Sequence, residues 1–465
     1  MKEFNAQLPE NHAIRSFFEP KKCLIISPLQ MIRVMARKLA GNIGILPHNI
    51  DMVNNFPEAQ KLLKEKKHEI IFSEYYLGNR NSLDMVVDAD DNVEIVQFDG
   101  KNKYGLDLLE IHKEIYPNRL NSIFVIISDY NSQNVAYKCF ENEVELFLTK
   151  PLSYENFEKG FLQTTEKKLY ADETMKELEN VKLYMAKGEF SMAHQVLDLI
   201  KDHNLSSADL FYYEGMIYRK ENKLDNAITA LTNAYQQDNK HYLALCLLFD
   251  TLYEAGRYQE SFEYSKVLTQ QFPINPSRLP TLVKVSLANK QYEEVAHYCQ
   301  IFMDLDDKDP EISKQLSAGL IVSGRILAEA GEKERAILNL KKAAEFCEGE
   351  KRVLMSSLEN MLLLKAHSEM RKVLLKIKED KRMDNDYEVM NLKLILSEED
   401  FGGALTGGLK MINEGVKSPE VYGVCLDASI SIGRRRDAIQ EILENAIKAF
   451  PEHKKFFEEK LKNTA

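Results

Sequence analysis

From position 193 onward, small residues return at a fixed interval. Ala193, Ala227, Ser261 and Val295 are 34 residues apart, and Ala336, Met370, Ala404 and Ala438 continue the same step after one interval of 41. Six of these eight are Ala or Ser, as two antiparallel helices require where they approach closely. A period of this length belongs to units that cannot bury their apolar face alone and must stack on neighbours, which excludes a single globular core for this part of the chain. Five residues before the ladder lie Gly188, Gly256, Gly331 and Gly433, where an interhelix turn calls for positive φ or a helix C-cap. Nine before it lie Tyr184, Tyr218, Leu252, Leu327, Met361 and Ile395, and four after it Leu197, Leu231, Leu340, Leu374 and Ile442. These are the expected buried faces. Pro273 and Pro451 close their repeats, and the seven extra residues of the long step fall at Asp306 to Ser313, DDKDPEIS, rich in turn formers. Val295 and Met370 depart from the small-residue pattern, so packing in the fourth and sixth repeats is expected to differ.

The first 160 residues follow another rule. Short apolar runs alternate with amphipathic stretches, the pattern of βα units around a parallel sheet. Strands are expected at Cys23 to Ile26, Asn49 to Val53, Glu69 to Phe72, Ile123 to Ile127 and Glu145 to Leu148. Helices are expected at Met31 to Leu39, Pro57 to Lys66, Leu106 to Glu114, Gln133 to Glu141 and from Tyr154 onward. Between Gly78 and Tyr104 the polar DADDN separates MVV from VEIVQF, which suggests a hairpin excursion.

The order of these elements, with Ser128 ending the fourth strand and FLTKP (Lys150-Pro151) ending the fifth, resembles the receiver domain of two-component response regulators over about 140 residues. The second repeat, GMIYRKENKLDNAITALTNAYQQD, and the fifth, GRILAEAGEKERAILNLKKAA, resemble tetratricopeptide (TPR) repeats. The two resemblances together imply an α/β, flavodoxin-like domain with a five-stranded parallel sheet, followed by an all-α TPR superhelical solenoid. The expected division is an N-terminal arm over 1–20, the receiver-like domain over 21–165 with its insertion at about 78–104, and a helical linker over 166–180. A TPR-like array of about eight repeats follows over 181–453, with a C-terminal capping helix over 454–465. The linker TTEKKLYADETMKELEN holds neither Pro nor Gly, so stiff coupling is expected.

The receiver resemblance implies acidic residues after the first strand that hold magnesium beside a phosphoaccepting aspartate at the end of the third. Mg²⁺ takes hard oxygen ligands, normally including carboxylates. Here the first-strand positions are Ser27 and Pro28, and the acceptor position is Glu74. Glutamate is one methylene too long, and misplacing a reacting atom by about 1 Å can cost roughly a hundredfold. Ser128 and Lys150 match the family's hydroxyl and lysine, and Phe147 its aromatic. This degenerate pocket keeps the sensing half without the reacting half. Glu74 either stands in for a charged acceptor and pairs with Lys150, fixing one conformation, or is a remnant in a domain kept for its surfaces. Asp129 adds a second carboxylate at the rim, able to bind a cation or simply solvated. The TPR resemblance places Tyr212, Arg219, Asp250, Tyr253 and Arg325 on the concave face as partner-binding candidates, since aromatic and arginine side chains dominate interface energetics.

Other chemistry is absent from the sequence. The histidines form no HExxH, and Cys23, Cys139, Cys246, Cys299, Cys347 and Cys425 form no CxxC pair. GGALTGGLK, from Gly402, lacks the GK[ST] ending of a phosphate loop, and Arg434 to Arg436 reads as a basic turn. No catalytic residue, metal site or cofactor is expected. Against 61 Lys and Arg stand 72 Asp and Glu, a formal charge of −11 that opposes attraction to phosphate backbones. No apolar leader or span of eighteen residues occurs. The expectation is a cytoplasmic, bacterial signalling adaptor that binds protein partners through the TPR groove or the receiver-like surface, with neither nucleic acid nor membrane as a partner. The alternative is a phosphorylation-gated regulator with a rearranged acidic site. The resemblance leaves a homodimer through the receiver-like domain open.

Overall fold

A computed structural model describes residues 11–78, 84–87, 93–96, 103–129, 133–201, 206–305, 308–346, 350–376 and 385–462. The chain forms two compact units, one of Met1–Asn289 with Leu305–Pro310, the other of Lys290–Asp304 with Glu311–Ala465.

In the first unit, strands β1 (Cys23–Ile26), β2 (Ile50–Val53), β3 (Ile70–Glu74), β6 (Ile123–Ser128) and β7 (Leu146–Thr149) make one sheet in the order β2-β1-β3-β6-β7. Every neighbouring pair is parallel. The order reverses between β1 and β3, as in doubly wound domains, whose ligand crevices open at the carboxyl ends of the strands. Side chains of each strand alternate between two apolar layers. Ile25, Phe72 and Val125 face α1 (Asn11–Phe18), α2 (Gln30–Asn42) and α6 (Tyr154–Leu169), whereas Leu24, Ile71 and Phe124 face α3 (Phe56–Glu65), α4 (Gly105–Ile115) and α5 (Gln133–Glu141). The polar excursion contains β4 (Asp84–Val87) and β5 (Val93–Val96), an antiparallel pair as the hairpin reading expects.

Two boundaries differ from the sequence reading. The expected N-terminal arm is helical from Asn11, and α1 belongs to the core: Phe18 is fully buried, its ring 5.6 Å from that of Phe161. The linker 166–180 is not one helix. Helix α6 stops at Leu169, and α7 (Glu173–Lys187) starts afresh where the Asp172 carboxylate accepts a hydrogen bond from Met175 N at 2.7 Å. An aspartate at that position satisfies an orphan amide and so favours a new helix start over continuation.

Helix pairs follow. The first unit holds α7 with α8 (Phe190–Leu199), α9 (Ser207–Lys220) with α10 (Leu224–Gln237), α11 (Tyr242–Glu254) with α12 (Tyr258–Gln271), and then α13 (Leu279–Ala288). The second unit begins with α14 (Tyr292–Met303) and continues with α15 (Pro310–Glu329) and α16 (Lys333–Phe346), α17 (Lys351–Leu363) and α18 (His367–Lys376), and α19 (Asn385–Ser397) and α20 (Phe401–Asn413). Helices α21 (Pro419–Ser431), α22 (Arg436–Ala449) and α23 (Lys454–Lys462) complete it. Helix α23 covers the end with the fully buried Phe457. Seven ladder residues, Val295 and Met370 among them, are wholly buried; Ala438 of the last pair is only half-buried. A Cβ on Gly215 would lie 2.6 Å from Leu231, so α9 and α10 approach to a distance only glycine permits. The long step is only in part the turn its composition suggests: residues 306 and 307 lie outside the described residues, Lys308 and Asp309 are irregular, and Pro310 opens α15, a helix of 20 residues, because proline at a helix start forfeits no hydrogen bond.

All eight turn positions adopt positive φ. Gly188, Gly256, Gly331 and Gly433 have φ of 75, 73, 82 and 73°, and their equivalents Asn222, Lys290, Lys365 and Glu399 have 62, 58, 51 and 66°. The left-handed turn is a property of the repeat, and glycine is only its easiest occupant.

Candidate functional site at the sheet edge and the face beneath helix 5

Parallel register brings the candidate pocket together. Ser27 follows β1, Glu74 ends β3, Ser128 ends β6 and Lys150 follows β7, so all four lie at the carboxyl edge of the sheet. Glu74 is 4% exposed. One carboxylate oxygen accepts from the Ser27 hydroxyl and the other from Lys150 Nζ at 2.5 Å. The ammonium also donates to Asp129 at 3.0 Å, a carboxylate that is 66% exposed. The Ser27 oxygen accepts from Leu29 N at 3.0 Å. Ser128 is buried, Phe147 half-buried in the apolar layer with α5, and Pro28 exposed.

This arrangement neutralises its own charge. A carboxylate removed from water needs a cation and further donors, and Glu74 has both. A divalent ion would have to displace Lys150 and would find a hydroxyl where receivers offer carboxylates. Among the described residues no group of three His, Cys, Asp or Glu converges as a metal-ligand set.

Sequence reasoning missed two neighbours of the pocket. Arg33 Nη1 donates to the carbonyls of Ser27 and Pro28, at 2.5 and 3.0 Å, and fixes the turn after β1. Gly105, at the start of α4, lies so close to β3 that a Cβ would stand 2.4 Å from the Glu74 carbonyl. The glycine was visible in the sequence, but its contact spans the insertion.

At the opposite edge a buried charge network ties the sheet to the first helix pair. Arg119 donates to both oxygens of Glu145, at 2.9 and 2.8 Å, and its Nη1 lies 2.7 Å from His112 Nδ1. Lys168 adds a second cation at 3.0 Å from Glu145. Burial opposes ionisation of Glu145, but Lys168 and Arg119 outweigh it and hold the carboxyl at about 2. Burial, aided by Arg119, pushes His112 down to about 3, so the ring is neutral. Arg119 N donates to Glu179 of α7 at 2.7 Å, and Lys182 bridges Glu143 and Glu179. A cavity of about 580 Å³ opens beside this network, walled by Leu120, Val144, Met175, Leu178 and Leu243.

The five proposed groove residues are all engaged within the chain. Tyr212 is half-buried with its ring 5.1 Å from His241, and Arg219 is paired with Glu254. Tyr253 lies against Tyr258, and Arg325 donates to Asn360 at 3.1 Å and Ser356 at 2.9 Å. Asp250 is not open to a partner: both its oxygens accept from Arg278 Nη1 at 2.7 Å. The same guanidinium reaches Glu141, the last residue of α5, at 2.8 Å through Nη2 and 3.0 Å through Nε. Glu141 also accepts from Tyr242 Oη and, at 2.9 Å, from Asn275 Nδ2. Tyr137 packs edge-on against Tyr242 at 4.9 Å, beside Phe272 and Phe140. Part of the α5 surface is therefore engaged within the chain. Glu141 and Arg278 stand 137 positions apart, and neither belongs to a motif.

No family model and no curated protein matches the chain. Among solved structures it is similar to a tetratricopeptide repeat protein from Parabacteroides merdae, at 14% identity over 58% of this chain and 97% of that one, TM-score 0.31. It is similar to the TPR domain of P58(IPK), at 12% identity over 63% and 99%, TM-score 0.20. It is also similar to PilF of Pseudomonas aeruginosa, at 18% identity over 46% and 93%, TM-score 0.29. At such scores the array rests on its own geometry, the buried ladder and the eight left-handed turns. Among the described residues no helix is long and apolar enough to cross a membrane.

Proposed function

We propose that this chain is a non-catalytic signalling adaptor, in which a receiver-like domain that cannot be phosphorylated is coupled to a TPR-like array holding a partner protein. The observation that carries the first half is Glu74. It occupies the acceptor position at the end of β3 with both oxygens engaged, by Ser27 and by Lys150. A phosphoryl group arriving there meets a carboxylate already neutralised by the lysine, with no acidic pair to hold magnesium. The pair fixes one conformation of the sheet edge. The second half rests on the stacked helix pairs, whose first helices carry Tyr212, Arg219, Tyr253 and Arg325 as partner-facing candidates. The described cysteines are free and buried, which suits a reducing cytoplasm.

Incubation with acetyl phosphate and magnesium, followed by intact-mass measurement, tests this reading. The expected spectrum is unchanged. Addition of one phosphoryl group, mapped to Glu74 or Asp129, would establish the phosphorylation-gated alternative instead.

A further inference from the structure

The outward stripe of α5 consists of Tyr137, Phe140 and Glu141, at i, i+3 and i+4 of one helix. This is the spacing by which an amphipathic helix lies in a groove. The inward residues Val135 and Cys139 are buried in the domain's own core, whereas Phe140 is 55% exposed and Glu141 finds its side-chain partners on the array. The array's receptor is compact. Tyr242 and Phe272 form the aromatic wall, and Tyr242 Oη, Asn275 and Arg278 converge on one carboxylate. Asp250 holds Arg278 from behind. Such a surface selects a helix whose aromatic residues are followed at once by a carboxylate. Its affinity is modest by construction, because a buried ion pair returns little beyond the cost of desolvating its members while specifying the partner strictly. The same chemistry offered in trans makes the same contacts but competes against the high effective concentration of the tethered α5.

We propose that this face of the array is a binding surface for an acidic-aromatic helix of a partner protein, closed in cis by α5 and opened when the partner's helix replaces it. The proposal deepens the adaptor reading and rests on it: the partner is recognised by a Tyr-x-x-Phe-Glu pattern, and the receiver-like domain acts as the guard of the site. Arg278 is the recognition residue and Asp250 its positioning residue.

The test uses the full chain and a fluorescent synthetic peptide of its own residues 133–145. In the wild type α5 competes, and binding should be weak. Glu141→Arg places a cation against Arg278 and frees the face, so the peptide should bind at least tenfold more tightly. Adding Arg278→Met should abolish that gain, as should a peptide with Gln at the position of Glu141. Amide exchange should rise in α5 and at Tyr242–Cys246 of the Glu141→Arg chain while β3 and β6 stay protected, which separates opening from unfolding. Equal peptide affinity in wild type and Glu141→Arg, or unchanged exchange in α5, overturns the proposal. Neither result touches the phosphodonor experiment, so the adaptor reading stands or falls separately.

Discussion

Replacing Glu74 with Gln tests whether the pocket at the sheet edge is held by its internal ion pair. The carboxylate is 4% exposed and the Lys150 side chain 13% exposed. Removing one partner of a buried pair typically costs about 3–5 kcal/mol, because the other charge is left uncompensated. Lys150 retains Asp129, but an exposed pair contributes at most about 1 kcal/mol. The expected loss is therefore at the lower end, about 3 kcal/mol. Lys150→Met leaves Glu74 with only the Ser27 hydroxyl and should cost about the same. The double variant buries two neutral side chains and should cost no more than either single, a coupling of about 3 kcal/mol. A chain of several units does not unfold in one step, so the readout is amide exchange in β3 and β6, which reports the opening of this domain alone. Additive losses, with coupling below about 0.5 kcal/mol, would show that Glu74 and Lys150 are solvated independently and that the pair fixes nothing.

Two further outcomes follow from the rest of the structure. The triple substitution Lys290→Gly, Lys365→Gly and Glu399→Gly, all exposed turn residues with positive φ in the second unit, relieves a left-handed strain of roughly 1–2 kcal/mol each, less about 0.5–1 for the freer unfolded chain. A net gain of about 2 kcal/mol should raise that unit's calorimetric transition, and a lowered one refutes the turn argument. His112, held neutral at about 3 against an ordinary 6.5, leaves the unfolded chain to take up the extra proton. Its contribution is complete above pH 6.5 and falls by about 1.4 kcal/mol per unit as pH drops towards 3, with Glu145 adding to the loss below about 4.5. Urea midpoints of the α/β signal should follow that slope, and His112→Gln should flatten it between pH 6.5 and 4.5; an unchanged slope would place the titration elsewhere.

Each stretch of the sequence by itself determined what depends on its neighbours along the chain. The strands Cys23–Ile26 and, to within one residue, Ile123–Ser128 were legible because short apolar runs that alternate with amphipathic stretches fit buried strands between helices. The 34-residue ladder was legible because close helix approach demands small residues at one phase. Ser27, Glu74, Ser128 and Lys150 were singled out by the receiver resemblance, and parallel strands in the observed order bring these positions, at or just after strand ends, side by side. Tertiary structure alone decided the rest. Lys290, Lys365 and Glu399 adopt the glycine conformation with no glycine to announce it, because packing of the helices on either side imposes the turn. The break at Asp172, by contrast, is local: an N-cap three residues from the amide it satisfies outweighs the helical composition of the linker. Arg278 was never a candidate and Asp250 was one for the wrong reason, since the guanidinium's second partner, Glu141, lies 137 positions away in the α/β part of the same unit. Local periodicity records which face is buried; it carries no information about which distant carboxylate a buried guanidinium will meet.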